Sequence, residues 1–91
     1  MDNYCKYKIM QRTSDDGRQD VSCVCKCASI VRAVDIVDAL KMLNDKKYPS
    51  LRKYGMLGFR VECSGAAHDA AVRYYKGYDP GFCIEAYFDW Q

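Results

Sequence analysis

The cysteines of this 91-residue chain have the clearest capacity for chemistry, because three of the six occur in the run Cys23-Val24-Cys25-Lys26-Cys27. Zinc sites often use two thiolates in Cys-x-x-Cys spacing on a tight turn, where both can reach one ion. A Cys-x-Cys run on an extended strand instead places successive sulfurs about 7 Å apart along one face. A shared metal ion would require a sharp bend in the strand. We therefore expect small, reduced, mostly buried thiols here and no metal.

His68 is the single histidine of the chain and could form a nucleophilic dyad with Cys63 or Cys83. No oxyanion-hole sequence or glycine-rich phosphate loop accompanies it. Asp15 and Asp16 are adjacent acids at the tip of a predicted hairpin, where carboxylates are usually solvated turn residues. We expect a protein that is not an enzyme and that holds no cofactor.

The composition is that of one globular domain covering residues 1–91. Hydrophobic residues make up 49% and charged residues 29% of the chain, and the net charge is +2. This balance argues against a general nucleic-acid coat or a membrane-surface protein. The chain contains no apolar stretch suited to export or to membrane insertion, so we expect a cytoplasmic protein that does not bind membranes.

Four strands are predicted, over residues 4–12, 19–30, 57–63 and 82–90. Asp16-Gly17 predicts a tight hairpin between the first two, because glycine accepts the positive φ of such turns. Alternation in the last segment places its apolar residues on one face of a strand. That face would consist of Phe82, Ile84, Ala86, Phe88 and Trp90. The same reasoning turns five cysteines inward, namely Cys5, Cys23, Cys25, Cys27 and Cys63, together with Val21.

Two helices are predicted between these strands. The first begins at Asp35 and ends near Asp45 or Lys47, with Val37, Leu40 and Leu43 toward the sheet. The second covers residues 66–76 and ends at Gly77, with a buried stripe of Ala67, Ala71 and Tyr74. The expected fold class is α+β with the order β-β-α-β-α-β. It is a two-layer sandwich in which two helices cover one face of a mostly antiparallel four-stranded sheet.

Two groups of basic and aromatic residues are candidate partner-binding surfaces, since tyrosine and arginine are favoured at interfaces. The connector cluster consists of Lys46, Lys47, Tyr48, Arg52, Lys53 and Tyr54. The helix cluster consists of Arg73, Tyr75, Lys76 and Tyr78. A third surface is the uncovered face of the sheet, with Tyr4, Lys6, Lys8, Lys26, Arg60 and Tyr87, beside the acids Glu62, Glu85 and Asp89.

In its size, single domain, lack of catalytic motifs and tyrosine-rich surface, the chain resembles the small inhibitors that phages and mobile elements make against host defences, anti-CRISPR proteins among them. The resemblance is one of overall format. It implies a non-catalytic protein in the host cytoplasm that occludes a surface of a larger host protein or nucleoprotein complex. One alternative is a small RNA- or single-stranded-DNA-binding module that uses the two clusters. Another is a cysteine-rich metal- or thiol-binding protein.

Overall fold

The computed structural model describes residues 5–91 of the chain. This part contains three strands, three α-helices and one 3-10 helix. The strands are β1 (Tyr7–Asp15), β2 (Arg18–Cys27) and β3 (Leu57–Glu62), and they form an antiparallel sheet in the order β2-β1-β3. The helices are α1 (Ile30–Lys47), α2 (Pro49–Lys53) and α3 (Gly65–Tyr78), and the 3-10 helix is Ile84–Phe88. The α+β class is confirmed, whereas the fourth strand is replaced by the 3-10 helix.

The β1–β2 hairpin turns at Asp16-Gly17, as predicted. Both residues have positive φ, 48° at Asp16 and 79° at Gly17. Two-residue hairpin turns of this kind match the right-handed twist of the flanking strands. The strands reach the turn itself, at Asp15 and Arg18, so the ordered ladder is longer at this end than expected. The predicted start of β1, at Tyr4, lies outside the described residues.

A bulge in β2 changes which of its side chains face the helices. The register pairs Ile9 with Cys25 but Met10 with Cys23, which leaves Val24 without a partner on β1. An extra residue in one strand moves every side chain beyond it to the other face. The alternation predicted for β2 therefore holds on one side of the bulge and is wrong on the other.

The cysteines divide along this boundary. Cys27 is buried, and Cys25 is partly buried beside the core. Cys23 is exposed and Val21 is 53% exposed, so the expectation that both face inward is wrong. Cys5 and Cys63 are partly buried.

Helix α1 begins five residues earlier than predicted. Its N-cap is Ser29, whose hydroxyl accepts the backbone N–H of Arg32 at 3.4 Å. Ala33 and Val34 consequently lie inside the helix and are buried against the sheet. The cap at Asp35 was wrong because Ser29, two residues after β2, offers an equally good side-chain acceptor and allows Ala33 and Val34 to be buried as well.

Helix α3 also extends beyond its predicted bounds. Ser64 caps its first turn by accepting the backbone N–H of Ala67 at 3.2 Å, and the helix continues through Gly77 to Tyr78. The expected end at Gly77 is therefore wrong. Its buried stripe has i, i+4, i+8 spacing, and it contains Tyr75 where Tyr74 was expected. The buried residues of α3 are Ala67, Ala71 and Tyr75.

The C-terminal segment forms a helical turn and then reaches the sheet with its last residue. Ile84 and Phe88, four positions apart, are buried, and the Phe88 ring lies 4.5 Å from the His68 ring of α3. Gln91 then exchanges two backbone hydrogen bonds of 2.9 Å with Phe59 at the outer edge of β3. The strand prediction was wrong because Ile84 and Phe88 can be buried together at helical spacing as well as in alternation.

The core lies between the sheet and the helices. Its most buried side chains include Phe59 and Val61 of β3, Ile9 of β1 and Val37 of α1. The Tyr7 hydroxyl donates to the carbonyl of Ala67 at 3.2 Å, which links β1 to α3 across this core. Within residues 5–91, no helix combines the length and the apolar character needed to cross a bilayer.

Phe88→Ala tests the placement of the C-terminal segment in the core. Phe88 is 9% exposed, so its truncation is expected to lower the free energy of unfolding by about 3–5 kcal/mol. Urea denaturation followed by circular dichroism measures this. Tyr54→Ala removes an aromatic side chain that is 71% exposed, and we expect a change within about 0.5 kcal/mol. Equal effects of the two substitutions would contradict the core assignment.

Candidate binding surfaces

Arg52 of the connector cluster is a structural residue. Its side chain is 13% exposed. Its Nε donates to Asp45 Oδ1 at 2.7 Å, and its Nη1 donates to the carbonyls of Leu57 at 3.0 Å and Gln91 at 2.7 Å. One guanidinium group thus ties α1, β3 and the C-terminal residue together. Arg52 was predicted on a partner-binding surface, whereas three of its five N–H donors are used within the fold.

The rest of the connector cluster is exposed, and it is joined by apolar residues from the end of α1. Leu43 is 52% exposed, contrary to its predicted place on the sheet, and Met42 is 73% exposed. The Lys53 Nζ lies 5.7 Å from the centroid of the Tyr54 ring. We define the α1–α2 corner as the exposed residues Met42, Leu43, Lys46, Lys47, Tyr48, Lys53 and Tyr54.

The helix cluster is divided by the rotation of α3. Arg73, Lys76 and Tyr78 are exposed, but Tyr75 is 6% exposed. Tyr74, assigned to the core from the sequence, is 45% exposed and stacks on Tyr78 at 5.5 Å. Burial raises the pKa of Tyr75 above its ordinary value. The prediction that Tyr75 lies at the surface is therefore wrong, and the two neighbouring tyrosines have exchanged places.

Tyr87 lies on the helical side of the molecule and not on the uncovered sheet face. Its hydroxyl donates to Asp38 Oδ1 of α1 at 2.7 Å, and its ring stacks on Phe82 at 5.4 Å. Burial, followed by this hydrogen bond, raises the pKa of Tyr87 to about 12. Glu85, from the same 3-10 helix, lines a cleft beside α3. Tyr87 and Glu85, which a fourth strand would have placed on the uncovered sheet face, are therefore not part of it.

His68 does not form a dyad with a cysteine. Its Nδ1 lies 3.5 Å from Asp69 Oδ1, and its ring packs on Phe88. Among the described residues, His68 forms no hydrogen bond with Cys63 or Cys83. The nucleophilic arrangement considered from the sequence is not assembled.

The six cysteines are free thiols in different environments. Burial raises the pKa of Cys27 and of Cys63, whereas Cys23 and Cys83 are exposed. Within residues 5–91, no group of three or more histidine, cysteine, aspartate or glutamate side chains is arranged to hold a metal ion.

The uncovered face of the sheet carries a basic and aromatic group that sequence reasoning located only in part. Lys8, Lys26 and Arg60 lie on this face, as predicted, and the register adds Arg12. The Cζ atoms of Arg12 and Arg60 lie 4.8 and 5.7 Å from the ring centroid of Trp90. Trp90 had been expected on the opposite face.

Gly58 is the sequence signal that could have located Trp90. It is buried in β3, and an added Cβ would lie 3.8 Å from Trp90 Cε3 and 3.2 Å from the Gln91 carbonyl oxygen. A glycine within a strand often marks a close approach of another part of the chain. The indole occupies the space that a side chain at position 58 would fill.

Comparison with known proteins identifies no relative: no protein-family model, no curated protein and no solved structure matches the chain. The surfaces described above are therefore the basis on which a function can be assigned. Two of them expose side chains whose chemistry suits a partner, namely the α1–α2 corner and the uncovered sheet face.

Arg52→Ala tests the structural role of this residue. The substitution removes three hydrogen bonds from a mostly buried cation, and we expect the free energy of unfolding to fall by about 2–4 kcal/mol. Lys53→Ala removes the neighbouring exposed cation and is expected to change it by no more than about 0.5 kcal/mol. Urea titration of both variants checks this. A similar loss of unfolding free energy in the two variants would contradict the structural role of Arg52.

Thiol reactivity tests the environments of the cysteines. In native protein at about pH 8, Ellman's reagent should modify Cys23 and Cys83 at least about tenfold faster than Cys27, since burial disfavours the thiolate. Replacing both exposed cysteines by serine should remove the fast phase. Six thiols that react at one rate in folded protein would contradict the assigned burial.

Proposed function

We propose that the protein is a non-catalytic binding protein, an anti-CRISPR-like inhibitor that occludes a surface of a larger host protein or nucleoprotein complex in the host cytoplasm. The observation that carries this proposal is the α1–α2 corner. Met42 and Leu43 of α1 are 73% and 52% exposed there, and Tyr54, the residue that follows α2, is 71% exposed; α1 and α2 contact each other. Large apolar side chains left in water together are typical of protein–protein interaction sites.

The chemistry of the corner also defines the kind of partner surface that it fits. Tyrosine and methionine provide large, adaptable contact areas, and tyrosine is frequent among the residues that dominate binding energy. Lys46, Lys47 and Lys53 of the same corner are exposed and add positive charge to it. Asp45, the acidic residue between positions 42 and 54, is paired with Arg52. The complementary surface has an apolar centre with acidic residues at its edge.

The exposed part of the helix cluster supplies a second contact surface in this proposal. Tyr78 is 69% exposed, and Arg73 and Lys76 line a cleft of 220 Å³ together with Asp69 and Glu85. The two carboxylates offset the two cations. This balance favours a protein partner over a phosphate backbone at this cleft, because carboxylates repel phosphate at short range.

Affinity capture tests the proposal, with the tagged protein as bait in host lysate before and after nuclease treatment. We expect a specific protein to be retained, and its retention after nuclease treatment would distinguish a protein surface from one that depends on nucleic acid. Leu43→Ser and Tyr54→Ser, at the corner, should each weaken binding of the captured partner by about 10- to 30-fold, as expected for residues central to an interface.

Val31→Ser is the matched control, since Val31 is an exposed apolar residue of the same helix, 37% exposed. It lies about 18 Å from Leu43 along the helix axis. Its binding should stay within about twofold of the unsubstituted protein, with all variants checked for unchanged thermal unfolding. Failure to retain any protein, or equal weakening by Val31→Ser and Leu43→Ser, would overturn the assignment of the corner as the binding surface.

A further inference from the structure

The uncovered face of the sheet, opposite the helices, concentrates positive charge. The strand residues that point to this side include four cations, of which Arg12 and Arg60 are partly buried and Lys8 and Lys26 are exposed. Glu62 is the acid on this face within the three strands. Because the chain as a whole is nearly neutral, this excess is a local property of the sheet face.

Trp90 reaches this face because of the way in which the C-terminus pairs with β3. Gln91 exchanges two backbone hydrogen bonds with Phe59, and its side chain accepts a hydrogen bond from Lys41 of α1 at 2.5 Å. Side chains of successive extended residues point in opposite directions, so Trp90 points away from the helices. Its partly exposed indole then lies over Gly58.

Arg12 and Arg60 lie beside this indole, and no carboxylate within residues 5–91 neutralises them. The Nε atom of each is buried and has no hydrogen-bond partner. Neither guanidinium forms an ion pair with a carboxylate of residues 5–91. A buried donor that lacks a partner costs free energy, and two neighbouring cations repel each other. A phosphate beside each guanidinium group would neutralise its charge and remove the repulsion.

We propose that Arg12, Arg60 and Trp90 form a binding site for single-stranded nucleic acid. The two guanidinium groups contact phosphates of the backbone, and a base stacks on the indole. Guanidinium pairs phosphate through two parallel hydrogen bonds. Stacking of bases on aromatic side chains beside a basic track is how many single-strand-binding surfaces work. This site is on another face from the α1–α2 corner and does not depend on the function proposed for that corner.

The shape of the site selects the single-stranded form. The bases of a duplex are already stacked on one another, so the partly exposed ring of Trp90 can stack only on a base of a single strand. Lys8 lies four residues from Arg12 on the same strand, about 13 Å away, and extends the positive track beyond the indole. An acidic polypeptide would satisfy the arginines but would leave the indole without a stacking partner.

Binding is measured directly, because Trp90 is the single tryptophan of the chain. The probes are fluorescein-labelled oligonucleotides of about 12 nucleotides, in the form of oligo-dT, oligo-U and a DNA duplex. Anisotropy is recorded at about 50 and 200 mM salt, and tryptophan emission is followed with the unlabelled strands. We expect the single strands to quench Trp90 and to bind more weakly at the higher salt concentration. Comparison of the affinities for oligo-dT and oligo-U shows whether the site prefers DNA or RNA.

Arg12→Gln and Arg60→Gln should each weaken binding of the single strand by about tenfold and reduce the salt slope by about 0.7. Arg60→Lys keeps the charge without the guanidinium plane, so an intermediate loss is expected. Arg32→Gln is the control, since it removes an exposed arginine of α1 on the other side of the molecule; its affinity should change less than about twofold. Circular dichroism verifies that each variant is folded.

Three results would overturn the site. One is the absence of both quenching and anisotropy change at low salt. Another is equal weakening by Arg32→Gln and Arg60→Gln, which would indicate diffuse attraction by net charge. The third is binding of polyglutamate or duplex as tight as that of the single strand, which would assign the face to acidic chains in general. Leu43→Ser leaves this site intact and should retain full oligonucleotide affinity, so a failure of the corner proposal is distinguished from a failure of this one.

Discussion

The guanidinium group of Arg52 is the interaction on which the arrangement of this small domain depends. It joins the carboxylate of Asp45 to the carbonyls of Leu57 and Gln91, so that one side chain connects α1, β3 and the C-terminal residue. The carbonyl of Gln91 also accepts the backbone N–H of Phe59. The hydrogen bonds Lys41–Gln91 and Tyr87–Asp38 also join α1 to the C-terminal segment, but Arg52 contacts β3 as well. Charge-assisted hydrogen bonds from one mostly buried cation can therefore set the position of the C-terminal segment.

The C-terminal segment in turn serves both sides of the sheet. Ile84 and Phe88 complete the core beneath the helices, whereas Trp90 lies over Gly58 on the uncovered face. The molecule thereby presents two chemically different surfaces. The partner that we propose for the α1–α2 corner is a protein, and the partner that we propose for the sheet face, with its two arginines and indole, is a phosphate backbone. A nucleoprotein complex is a target in which both surfaces could be used at once.

Much of the fold could be predicted from local chemistry. The Asp16-Gly17 turn requires positive φ, and the burial of Leu57, Phe59 and Val61 follows from alternation along β3. Two other features, the bulge in β2 and the conformation of the C-terminal segment, could not be predicted in this way, because each has alternatives of similar local energy. The bulge at Val24 inverts the phase of half of β2, and the C-terminal apolar residues fit a strand as well as a helical turn. Both were decided by what the neighbouring elements could bury.

The exposed lysines and tyrosines of the α1–α2 corner could be located from the sequence, because long charged side chains next to a helix end face water in almost any fold. The sequence could not separate Arg52 from Lys53, since their neighbours are alike and only the folded chain brings carbonyl acceptors to one of them. From the sequence, Tyr74 was assigned to the core and Tyr75 to the surface, whereas the structure has the reverse, because the two differ by one helical position. Arg12, Arg60 and Trp90 come from three segments, so their juxtaposition exists only in the tertiary structure. The sequence alone determined the tight turn at Asp16-Gly17 and the alternation along β3, whereas the bulge in β2, the helical turn at the C-terminus and the proximity of distant segments depend on packing, which no local pattern encodes.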